Sequence, residues 1–189
     1  MRVPGDKRLT VLATGLAAAA VLLLAACAGK EAPEPNPLGP PVPETVQPEK
    51  IWNYLEGSDY RRFWPAQSVV KPGIHRGREP HGPLIDTFLN DTADNARPLG
   101  KEPLPPGSVV VLENHTTEPH VYSIDVMIKV KGHNPATNDW AFMRFSPGGE
   151  VLVSDREAQR KARKKNRGCI HCHSYTESTD FLFDPRFRD

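Results

Sequence analysis

The longest regular alternation in the chain runs from Val121 to Lys131. Tyr122, Ile124, Val126, Ile128 and Val130 fall on one side of an extended backbone, with Ser123, Asp125, Met127, Lys129 and Lys131 on the other. A period of two predicts a strand with one face in a core. Upstream, Gly107-Ser108 opens the run Val109–Leu112, which is too β-branched to prefer a helix. Leu84–Asn90 and Asp139–Phe145 read as further strands, and Val151–Ser154 follows the Pro147-Gly148-Gly149 turn as another. Consecutive strands joined by short turns predict an antiparallel meander. Helical spacing is confined to short segments. Ile51, Trp52, Tyr54 and Leu55 group before Gly57. Asp91 can cap a helix over Asp91–Arg97, and Asp155 a basic helix over Arg156–Arg167. Phe63–Pro83, rich in Pro, Gly and His, reads as irregular loop. Together these elements predict an α+β domain.

The first 50 residues follow a different pattern. Basic residues Arg2, Lys7 and Arg8 precede an apolar run from Leu9 to Ala26, which ends in Leu24-Ala25-Ala26-Cys27. A basic start, an apolar stretch and small residues at its end mark a secretory signal. An uncleaved single-pass helix is the rival, since the run approaches the ~18 residues at which spanning begins. The ending resembles the bacterial lipobox, which makes residues 1–26 a lipoprotein signal peptide and Cys27 the acylated first residue. Residues 27–50 then form a tether. Seven prolines lie within it and bulky apolar residues are nearly absent, so it cannot offset its own chain entropy and leans toward polyproline II. That leaves 51–189 for one domain. On this reading the domain is exported, facing the periplasm or cell exterior, and held to a membrane through the lipid.

Composition narrows the partners. With 24 basic and 23 acidic side chains the net charge is +1, which gives no long-range field for capturing nucleic acid. The 20 prolines and 38% hydrophobic content fit a modest domain on an unfolded leader. Cysteine is scarce, with Cys27, Cys169 and Cys172 only, which is not a disulfide framework.

The close pair belongs to Cys169-Ile170-His171-Cys172-His173, the C-x-x-C-H pattern of c-type haem attachment. Two thiols on one helical turn can reach both vinyl groups of a single porphyrin, and the following histidine, His173, is held beneath the iron as its axial ligand. Structural zinc would need two more ligands at comparable spacing. A redox dithiol would have a strand before the motif rather than a helix. A plain disulfide is the remaining rival. One haem c per chain leaves no cysteine over if Cys27 is lipidated.

Beyond the motif, an ordered set of features stands out. Trp64-Pro65 is followed by Pro80-His81-Gly82 and a strand ending Asn90-Asp91. Pro106-Gly107-Ser108-Val109-Val110-Val111 precedes Glu113-Asn114 and the long strand to Lys131-Gly132. Asn138-Asp139-Trp140-Ala141 comes before the haem motif and Asp180-Phe181-Leu182-Phe183 after it. This order is similar to the cytochrome P-460 family, which includes the gas-binding cytochromes c′-beta. The resemblance implies a mainly antiparallel sheet with flanking helices, one haem near the C-terminus with His173 proximal, and an open distal side for nitrogen oxides or other diatomic ligands. In hydroxylamine-oxidising members a strand lysine is cross-linked to the porphyrin; that position corresponds here to Leu112, which has no nucleophile. The family's distal arginine falls at Ile85, and its proton-relaying acid at Met127. The resemblance thus implies an apolar distal pocket around Leu112, Ile85 and Met127, suited to neutral ligands. A slip of one residue would instead turn Glu113 inward.

Two alternatives follow from the same residues. A sixth ligand from His75, His81, His115, His120, His133, Met127 or Met143 would make the chain a six-coordinate electron-transfer cytochrome. Hydroxylamine oxidation would need a cross-linking lysine, and none is placed. His171, between the cysteines, cannot turn to the same iron and is expected at the surface. Arg144 or the basic run from Arg156 to Arg167 can neutralise a haem propionate, and that run can also dock a redox partner protein. A homodimer is compatible with the chain.

Overall fold

The computed structural model describes residues 39–64, 73–96, 103–118, 120–164 and 168–183. Cys27, the apolar run before it and the first part of the tether lie outside them. No helix among the described residues is long and apolar enough to cross a membrane.

Among the described residues, six strands form one antiparallel sheet in sequence order: β1 (His75–Arg76), β2 (Leu84–Leu89), β3 (Val109–His115), β4 (Val121–Lys129), β5 (Trp140–Phe145) and β6 (Val151–Val153). The expected meander is present. β1 was not foreseen, because two residues inside a Pro- and Gly-rich stretch carry no alternation. The register sets Leu112 opposite Thr87 on one side and Asp125 on the other, with Asp125 opposite Arg144. Side chains of paired residues share a face, so Thr87, Leu112, Asp125 and Arg144 form one row across the sheet.

The two faces carry separate cores. Ile124, Val126 and Ile128 of β4 join Val109, Val111, Met143 and Phe145 beneath α1 (Pro48–Ser58) and α2 (Tyr60–Phe63). Each such aliphatic contributes about 1.5–3 kcal/mol on burial. Val42 and Val46 also pack here, and α1 begins at Pro48, so ordered structure starts upstream of residue 51. Tyr122 departs from the expected alternation. A bulge leaves Val121 opposite His115 and Ser123 opposite Asn114, and Tyr122 stands exposed.

The other face would be left to solvent in a one-sided sheet, yet here it is covered. Leu89, Met127, Trp140 and Phe142 pack with Ala93 of α3 (Asp91–Ala96), Ala158 of α4 (Asp155–Arg163) and Ile170 of α5 (Cys169–His173). Two helix caps differ from expectation. Asn90, not Asp91, caps α3 by accepting from Ala93 N–H at 3.1 Å, and also receives Val109 N–H at 3.0 Å. Ser154, not Asp155, caps α4 by accepting from Glu157 N–H. The Asp155 carboxylate instead turns inward, accepting from Phe142 N–H at 2.9 Å and lying 2.9 Å from His133 Nε2, which ties α4 to β5.

Candidate functional site

α5 is a single short helix, C-I-H-C-H, with Ile170 anchored in the second core. A helix this short has no stability of its own, so packing against β5 and α4 sets where its cysteines and histidine point. Cys169 and Cys172 are free, half-buried thiols, and burial pushes the Cys169 thiol pKa upward.

His173 Nδ1 donates to the Phe181 carbonyl oxygen at 2.6 Å. A carbonyl can only accept, so the proton sits on Nδ1 and the lone pair on Nε2. Burial lowers the pKa of this imidazole, keeping it neutral and able to ligate. Phe142 and Phe183 pack edge-on against the ring at 5.3 and 5.1 Å.

The carbonyl that holds His173 is itself held. Asp180 and Phe181 both adopt left-handed backbone, with φ of 54° and 65°, a conformation costing on the order of 1–3 kcal/mol for such residues. Asp180 is clamped on three sides. Lys129 Nζ reaches its two oxygens at 2.8 and 2.7 Å, Leu104 N–H donates at 2.8 Å and Asn138 Nδ2 at 3.2 Å. Lys129 and Asp180 are only 5% and 7% exposed. A buried ion pair on the sheet thus fixes the turn that orients the histidine. Nothing in the residue pattern signals this pairing across 51 residues.

The residues placed by resemblance, Ile85, Leu112 and Met127, all lie on the sheet face that packs against α5. Met127 is buried in the second core, whereas Ile85, Thr87 and Leu112 stay half-buried on the inner strands β2 and β3. Glu113 faces the other way. It is buried on the α2 side, accepting from Tyr60 O–H at 2.6 Å and pairing with Arg61 Nε at 2.5 Å. Met143 and His115 lie on that far face too. The slipped register does not occur.

The wholly apolar surround expected for Leu112 is not what the sheet presents. In the same row Asp125 accepts from Arg144 Nη2 at 2.8 Å and Asn114 Nδ2 at 2.8 Å, and lies 2.8 Å from His81 Nδ1. Asn114 in turn receives Gly82 N–H at 2.9 Å. Gly82 lies so close to His115 backbone that a Cβ would meet its carbonyl oxygen at 2.7 Å, so only glycine lets the loop settle on the sheet with His81 over Asp125. Arg144 is therefore committed to Asp125. His171 is half-buried, not fully at the surface, with its ring edge-on to Tyr175 at 5.4 Å.

Burial alone would raise the Asp125 carboxyl. Hydrogen bonds and charge from His81 and Arg144 overcome that and hold its pKa down at about 2. The unfolded value is about 3.9, so the ionised carboxylate stabilises the fold fully above that pH. The contribution, about 2 kcal/mol, is expected to vanish as pH falls from about 4 toward about 2. Denaturant titrations across this window should show the loss in the wild type and a flatter profile in Asp125→Asn; equal profiles would contradict the network.

These observations fit a covalently held haem. Two free thiols sit one helical turn apart, a neutral imidazole beside them has its Nδ1 fixed, and half-exposed apolar surface lies on the same face. Such a site on an antiparallel sheet defines a c-type cytochrome. The profile of the cytochrome P460 family matches residues 58–184, more than half of the chain, and the chain belongs to that family. No curated protein matches it. Family membership carries a c-type haem with iron, for which Cys169, Cys172 and His173 are the residues suited to hold it.

Proposed function

We propose that this chain is an exported monohaem cytochrome of the P460 type, with Cys27 as its lipid anchor, which binds or redox-handles a small nitrogen oxide or diatomic ligand on the iron face opposite His173. The observation that carries this reading is His173 itself: a half-buried neutral imidazole with Nδ1 fixed by the Phe181 carbonyl and Nε2 free of any partner among the described residues. A bound haem supplies an iron centre that changes oxidation state and accepts small ligands. The chain's own contribution is to fix the proximal ring, shield it with Phe142 and Phe183, and set the polarity around Leu112.

A second reading, electron transfer by a six-coordinate haem, is favoured by one observation: the His81 ring lies 6.4 Å from that of His173. Hydroxylamine oxidation finds less support. Leu112 offers no nucleophile, and Lys129, buried on the same sheet face, is engaged by Asp180.

The test is to express the full chain with a cytochrome c maturation system, reduce it and add carbon monoxide or nitric oxide. The expected result is a pyridine haemochrome of one haem per chain and a ligand-induced Soret shift. A haem protein whose ferrous spectrum is indifferent to both gases leaves electron transfer as the function.

A further inference from the structure

We propose that His81 is the second axial ligand of the iron, opposite His173, so that the resting haem is six-coordinate and an external ligand must displace His81. The inference rests on the haem reading above and names the group that fills the iron's other side.

Three observations carry it. The two ring centroids are 6.4 Å apart with planes at 90°. Two imidazoles bound to one metal from opposite sides, each through a bond of about 2.0–2.1 Å, place their ring centres about 6 Å apart, and perpendicular planes are compatible with that. Secondly, both rings are prepared alike. Metal-bound histidine characteristically donates its other N–H to a carbonyl or carboxylate. His173 Nδ1 does so to Phe181 O at 2.6 Å, and His81 Nδ1 to Asp125 Oδ2 at 2.8 Å. Asp125 also accepts from Arg144 Nη2 at 2.8 Å, so the carboxylate that faces His81 is held in place. Among the described residues, no hydrogen-bond partner is found for Nε2 of either ring. Thirdly, among the described residues no other histidine outside the C-x-x-C-H turn has its ring against that of His173; His75, whose Nδ1 also faces a carbonyl, that of Gly73 at 3.1 Å, makes no such ring contact. His115 is buried on the opposite sheet face, His133 is taken by Asp155 and Gln159, and His171 lies edge-on to Tyr175.

The loop carrying His81 is built for this position. Arg78 O accepts from His81 N–H at 2.8 Å, Pro83 O accepts from Gly77 N–H at 2.9 Å, and Gly82 seats on Asn114. The ring is thereby held over the sheet by a loop that is seated on β3.

The experiment uses the matured full-length holoprotein, with haem content checked by pyridine haemochrome in every sample. Electron paramagnetic resonance of the ferric wild type should show a low-spin six-coordinate signal. His81→Ala should turn it high-spin and raise the carbon monoxide association rate of the ferrous form by at least about tenfold, since the binding-competent state is no longer a minor one. His75→Ala should leave both readings unchanged. His81→Met restores a ligating side chain and should remain low-spin with a higher reduction potential, as methionine–histidine ligation gives. A high-spin ferric wild type, or a low-spin signal that survives in His81→Ala, overturns the assignment. A sample without haem would instead sink the haem reading on which it rests.

Discussion

Lys129→Met should unfold at a free energy about 3–5 kcal/mol below that of the wild-type holoprotein, the usual cost of removing one partner from a buried pair. The size follows from what remains. Asp180 would lose its cationic partner at 7% exposure, with only Leu104 N–H and Asn138 Nδ2 as donors. The pair also holds two consecutive residues in left-handed backbone, so part of the loss is strain that nothing then restrains. Replacing both partners by apolar residues should recover some of the loss, because a buried pair often offsets little more than its own desolvation. Recovery should be incomplete, since Leu104 N–H would lose its acceptor. The carbonyl of Phe181 turns with Asp180, so the iron–histidine stretching band of the five-coordinate ferrous form, obtained in the His81→Ala background, should also shift and broaden. Guanidinium unfolding gives the first number and resonance Raman the second. A variant within 1 kcal/mol of wild type would show that the pair is not holding the turn.

What the sequence discloses and what it hides divide along physical lines. β4 was legible because one face of it, Ile124 to Ile128, answers to a core, and a period of two survives any tertiary context. The haem motif was legible because its chemistry lies within five consecutive residues. The caps lie one residue before the expected positions: Asn90 and Asp91, like Ser154 and Asp155, are both good cap residues in adjacent positions, and only the competing partner decides which is used. β1 and the bulge at Tyr122 leave no mark in hydrophobicity. The network around Asp125 is illegible in the sequence for a different reason. His81 and Arg144 lie 44 and 19 residues from it, and their meeting depends on strand register together with the seat of Gly82. The usable signal was weak: Asp125 shares the row of Leu112, and Pro80-His81-Gly82 sits just ahead of the strand that borders it. An aligned position with a nonpolar residue says nothing about the polar neighbours the fold brings to it.

Cys169→Ser with Cys172→Ser should abolish covalent haem entirely, leaving no haem-stained band on a denaturing gel and no mass increment on the polypeptide. Each single variant should retain one thioether and a weaker band. The double variant should nevertheless fold its sheet. The core beneath α1 and α2 contains no residue of α5 and lies on the opposite face, so far-ultraviolet circular dichroism should keep its strand signature. The losses should concentrate on the other face, where Ile170 joins Met127, Trp140 and Phe142. There α5, five residues long, would keep Ile170, its contact with α4 and the contacts of His173 with Phe142 and the Phe181 carbonyl, and protection of its amides from hydrogen exchange should fall well before that of β3 and β4. This contrast is what separates a haem that is stitched on from one that is merely enclosed. Were non-covalent pocket contacts sufficient, the double variant would copurify with haem that an acid–butanone extraction removes. Haem that resists such extraction from the double variant would place the attachment somewhere other than this turn.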